Sequence, residues 1–69
     1  MGLVIQISYC YKWEVTYFVQ CMNEEDAKLK AYKMFKDTQS CYLPDTLSEA
    51  DQDESFVCEV IAKVEQIIL

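Results

Sequence analysis

Two consecutive runs of strict alternation, 3–11 and 13–21, limit this chain more than any other feature. In the first, Leu3, Ile5, Ile7, Tyr9 and Tyr11 share one side, and Val4, Gln6, Ser8 and Cys10 share the other. In the second, Trp13, Val15, Tyr17, Val19 and Cys21 alternate with Glu14, Thr16, Phe18 and Gln20. A period of two built from β-branched and aromatic residues is the pattern of a half-buried strand. The runs meet at Tyr11-Lys12-Trp13, so they predict a hairpin. Neither Gly nor Asn stands at the tip, which predicts a turn outside the primed types and wider than two residues.

A helix follows. Asn23 is a good N-cap, and Glu24, Glu25 and Asp26 fill the first turn, where the helix dipole favours negative charge. Lys28, Lys30, Lys33 and Lys36 load the body and the last turn. Ala27, Ala31, Met34 and Phe35 recur at helical spacing and predict the buried stripe. Leu29 falls roughly opposite it, either as an ordinary exposed leucine or as part of a contact surface.

Residues 37–55 read as a long connection carrying the single proline, Pro44, and the acids Asp45, Glu49, Asp51, Asp53 and Glu54. Long connections in small domains are commonly functional or mobile. Within it, 48–51 could form a helical turn. Alternation returns at 56–69, with Phe56, Cys58, Val60, Ala62 and Val64 on one side and Val57, Glu59, Ile61, Lys63 and Glu65 on the other. The β-branched content favours a strand, although Val57, Ile61, Val64 and Ile68 also fit a helical period. The expected architecture is a single α+β domain over residues 1–69, ββαβ. Its three-stranded, mostly antiparallel sheet has the order 2-1-3, with one helix on one face. The other face is left to carry Val4, Ser8, Cys10, Thr16 and Phe18. A face and two edges without cover make homodimerisation an option, with the apolar Ile67, Ile68 and Leu69 as the expected dimer residues.

Composition then narrows the chemistry. The chain has 69 residues, six lysines against twelve acids, a net charge of -6 and no histidine. Arginine is absent too. There is accordingly no histidine base, no histidine–metal site and no guanidinium clamp for phosphate. The one glycine is Gly2, so no glycine-rich phosphate loop exists. Cys10, Cys21, Cys41 and Cys58 lie too far apart for a C-x-x-C knuckle, and none has a histidine to activate it. No catalytic residue, cofactor or metal ligand is therefore expected. The N-terminus lacks a basic n-region and the apolar runs are too short to span a bilayer, so the expectation is a cytoplasmic chain without membrane contact. Acidity without arginine also argues against direct nucleic-acid binding.

Contact with another protein remains. Asp45, Glu49, Asp51, Asp53 and Glu54, with Glu24 and Glu25, are the candidate partner-binding residues. If extended, acids two apart present a row of negative points roughly 7 Å apart. Such a row attracts basic grooves, which commonly serve to hold DNA or RNA. The plainer account is that the acids keep a small domain soluble.

The segment Trp13-Glu14-Val15-Thr16-Tyr17-Phe18-Val19-Gln20, followed by Asn23-Glu24-Glu25-Asp26-Ala27 and Lys30-Ala31, resembles small acidic accessory proteins of bacteriophages and mobile elements, some anti-CRISPR proteins among them. The likeness covers residues 13–36 and is one of size, acidity and layout. It implies a stoichiometric, non-enzymatic inhibitor of a host or defence protein that handles nucleic acid, acting in the host cytoplasm. The alternative is a structural or regulatory interaction domain acting as a homodimer.

Overall fold

The computed structural model describes residues 1–39 and 43–64. Its elements are β1 (Gly2–Tyr9), β2 (Trp13–Gln20), α1 (Glu24–Thr38), α2 (Leu47–Ala50) and β3 (Phe56–Val64). The sheet order is β2-β1-β3, with both neighbours antiparallel to β1. The expected α+β arrangement of three strands and one main helix is thus present. Cys41 and the expected dimer residues Ile67, Ile68 and Leu69 lie outside the described residues.

The alternation of β1 becomes a buried row: Leu3, Ile5 and Ile7 are all but inaccessible. They meet Ala27, Ala31, Tyr32 and Phe35 of α1, together with Val19, Leu43, Leu47, Ala50 and Phe56. The two alanines let the helix axis approach the sheet, and Phe35 fills the centre. Tyr32, not Met34, completes the stripe, which turns the helix from its expected orientation. The reason is that the Tyr32 hydroxyl is satisfied on burial: it donates to the Pro44 carbonyl while its ring meets Phe56 edge-on at 5.6 Å. Met34 stays exposed.

The cap of α1 forms as its sequence suggests. The Asp26 N–H donates to the Asn23 side chain at 2.8 Å, and the Asp26 carboxylate accepts from the Met22 N–H at 3.1 Å. Thr46 caps α2 in the same way, through the Glu49 N–H at 3.2 Å. Part of the expected connection is therefore helical.

The hairpin loop is wider than two residues, as expected, but its turn type departs from expectation, and so does β3. The hairpin loop is Cys10-Tyr11-Lys12, and both Cys10 (φ 54°) and Tyr11 (φ 57°) are left-handed. The Lys12 N–H donates to the Tyr9 carbonyl at 3.2 Å. Positive φ at both central residues is the mark of a primed turn, adopted here without glycine or asparagine because it matches the twist of the flanking strands. The second departure is in β3. Val60 pairs with Ile5 and Ala62 with Val4, so Ile61 is an extra residue and the strand carries a bulge. Beyond the bulge the alternation inverts. Ala62 and Val64, expected beside Phe56 and Cys58, stand instead on the face away from α1, opposite Val4 and Gly2.

Candidate functional site: an acidic end and an open sheet face

Apart from Phe18, the aromatic residues of the first two strands are used internally. Tyr9 is paired across the sheet with Trp13 on one side and Phe56 on the other, and their rings lie 6.4 Å and 6.2 Å away. With Tyr32 they make one aromatic row beneath the helix. Tyr17 turns to the same side, its hydroxyl 3.4 Å from the Thr38 hydroxyl. Phe18 is the one strand aromatic on the open face, and a single ring makes no row for stacked bases.

The seven acids expected to bind a partner do not form one patch. Glu24 and Glu25 open α1 beside the Gln20 end of β2, where Lys30 reaches the Gln20 carbonyl at 3.1 Å. The segment that carries Glu49, Asp51, Asp53 and Glu54 leads into Phe56 at the opposite end, beside the hairpin loop. An eight-residue strand separates the two groups, about 26 Å at roughly 3.3 Å per residue. The segment is also not an extended row. A helical turn is followed by tight turns, with the Asp53 N–H bonded to the Ala50 carbonyl and the Phe56 N–H to the Asp53 carbonyl, each at 3.0 Å. The acids are gathered into a compact cluster.

Each acid is used differently. Asp45 is neutralised by Lys36 at 2.8 Å, and that contact holds its carboxyl below the usual carboxylate value. Asp53 is partly structural: one oxygen accepts from the Ser55 N–H at 2.8 Å and the other faces the Tyr9 hydroxyl at 3.4 Å. Among the described residues, ion pairs join only Lys30 with Asp26 and Lys36 with Asp45, so Glu49, Asp51, Asp53 and Glu54 stand outside any ion pair. The Cys10 N–H donates to the Ser55 carbonyl at 3.0 Å, which ties this acidic end to the hairpin loop.

The face of the sheet away from α1 is a surface that the sequence only outlined. At one end it is apolar, with Val4, Phe18, Ala62 and Val64, and Phe18 is 54% exposed. At the other end it carries Glu14 and the exposed Val57 on either side of Ser8, and Glu59 opposite Gln6. The Gln6 amide donates to the Glu14 carboxylate, which steadies that side chain. The bulge puts Ala62 and Val64 on this face, and no alternation rule could have placed them there.

A groove of about 480 Å³ lies on the other side, between α1 and the start of α2. Leu29, Tyr32 and Leu47 contribute its apolar lining and the Lys36–Asp45 pair part of its wall. Leu29, expected as either an ordinary exposed leucine or part of a contact surface, is one of its exposed residues. Among the described residues no three of Cys, Asp or Glu converge as metal ligands, and no helix is long and apolar enough to cross a membrane. Cys58 is half-buried, and burial pushes its thiol up to about 11, with Asp51 and Glu59 adding to the shift against Lys28.

No protein-family model, curated protein or solved structure matches the chain.

Proposed function

We propose that this chain is a non-enzymatic protein-binding module whose acidic end occupies a basic surface of a partner that handles nucleic acid, and so competes with nucleic acid for that surface. The observation that carries this reading is the cluster of Glu49, Asp51, Asp53 and Glu54, fixed by backbone hydrogen bonds and free of ion pairs among the described residues. Carboxylates on an ordered backbone lose little freedom when a cationic surface meets them. Among the described residues no lysine forms an ion pair with these four acids, Lys36 being taken by Asp45. Such a charge distribution orients an approaching basic partner toward one end. An inhibitor of a host or defence protein would act in this manner.

The test is displacement. Nucleic-acid-binding proteins preloaded with a labelled oligonucleotide are titrated with the chain and with a variant carrying Glu49→Gln, Asp51→Asn and Glu54→Gln. The expected result is stoichiometric release from at least one of them, weakening steeply as salt rises from about 0.05 to about 0.3 M and lost in the variant. Release that ignores both salt and the substitutions, or no release at all, rejects the reading.

A further inference from the structure

We infer that the open face of the sheet is the seat for one basic amphipathic helix of the partner, an inference that rests on the reading above and names the surface that does the docking. The two halves of that face ask for two kinds of contact. Val4, Phe18, Ala62 and Val64 form an apolar end, with Phe18 and Val64 well exposed. At the other end Glu14 and Glu59 stand on the two outer strands astride β1, with the exposed Val57 beside them opposite Ser8. Among the described residues no cation shares this face. Lys63 is paired with Leu3 on the helix side, Lys12 is in the hairpin loop, and the remaining lysines are on α1.

Charge decides the occupant. A second copy laid face to face would bring four carboxylates onto one drying surface with no cation between them, which is unfavourable. A segment that is apolar at one end and carries Arg or Lys at the other meets both halves with complementary groups. Size decides its form. The outer strands of a three-stranded sheet run about 10 Å apart, close to the roughly 10–12 Å width of a helix. The opposite face of this same sheet is already covered by a single fifteen-residue helix. From the Val4 row to the Ser8 row is about 13 Å of strand, or about nine residues of helix rise. The fitting segment thus has apolar residues at i, i+3 or i+4, and i+7, followed by a basic pair about one turn later.

The probe is a synthetic helical peptide of about 18 residues with a leucine stripe and two arginines so placed, titrated into the isotopically labelled full chain and followed by amide NMR. Shifts are expected at Val4, Glu14, Phe18, Glu59 and Val64. Binding should fall at least about tenfold in the Glu14→Gln, Glu59→Gln double variant, in Phe18→Ser, and for a peptide with glutamates in place of its arginines. These side chains are exposed, so folding of each variant is verified by circular dichroism before binding is compared. Shifts confined to α1 or to residues 49–54, or affinity indifferent to the Glu14 and Glu59 substitutions, overturn the inference. The two readings separate in the displacement assay. If the Glu49, Asp51 and Glu54 variant loses release while the open-face variants keep it, the acidic-end reading stands and the helix seat is wrong. If every variant releases nucleic acid as the parent does, both fall.

Discussion

The ring of Phe18 lies over the backbone of Gly2 so closely that a methyl group there would come within 2.7 Å of Cζ and 2.9 Å of Cε2. Gly2 has no unusual φ to protect, so its value is the space it leaves. An aromatic side chain covering a strand glycine on a neighbouring strand is a known way to recover the packing that glycine lacks. Phe18→Ala should cost about 1–2 kcal/mol, given a half-buried ring at roughly 25 cal/mol per Å². Gly2→Ala in the parent should displace the ring and destabilise slightly. In the Phe18→Ala background it should be neutral or stabilising by about 0.5 kcal/mol. Chemical denaturation of the four proteins measures the coupling, and strict additivity would dismiss it.

The hairpin loop is strained where it needs no side chain. Tyr11 is 94% exposed and left-handed. Tyr11→Gly should stabilise by about 0.5–1 kcal/mol, because glycine adopts positive φ without the steric cost. Tyr11→Val should destabilise, since β-branching makes that region worse. Equal denaturation midpoints for the three proteins would mean that the loop carries no strain.

Cys58 should be slow to alkylate. Its thiol is raised from 9.0 to about 11 by burial first, so at neutral pH its thiolate is about a hundredfold scarcer than that of an ordinary cysteine. Folding must therefore weaken between pH 9 and about 11, because the unfolded thiol ionises first. Site-resolved mass spectrometry should show the Cys58 rate still climbing past pH 9 in the folded chain. A plateau there would contradict the burial.

The acid limb of stability should depend on two carboxylates. Asp26 lies below the ordinary value of 3.8 because it accepts from the Met22 N–H and from Lys30; Asp45 does so through Lys36. Both pKa values are lower folded than unfolded. The stability they give is present above the unfolded value and is lost as pH falls through the folded ones. Asp26→Asn and Asp45→Asn should each flatten the decline in denaturation midpoint below pH 4 and leave little change in its shape above pH 6.

Ala31 is fully buried where α1 meets the sheet. Ala31→Leu should lift the helix and cost about 1–3 kcal/mol, although leucine is nearly as good a helix former as alanine. Leu at the exposed position of Met34 should cost almost nothing. Thermal melts of the two variants would distinguish packing from propensity.

Much of the fold was legible because local and tertiary preferences agree over long runs. Leu3, Ile5 and Ile7 have no reading but strand, and Asn23 with three acids starts a helix where one begins. The exceptions come from partners distant in the chain. Tyr32 is buried because Pro44 offers a carbonyl, so a residue outside the expected stripe displaced Met34 from the core. Ile61 interrupts the count of two only because Val4 and Ile5 pair on either side of it. The acids were legible as charges, but their distribution over two ends follows from where α1 starts and β3 starts. Asp45 looked the same as Glu49 in sequence; Lys36 makes the difference.

The extra residue at Ile61 also governs what this molecule does at high concentration. A foreign strand that fell into step with the first half of β3 would be out of step with the second half, and its side chains there would point the wrong way. The β3 margin of the sheet is thereby a poor template for stacking one molecule on the next. Of the two free edges, β2 and β3, only β3 is guarded against fibril growth in this way, by a single misfit.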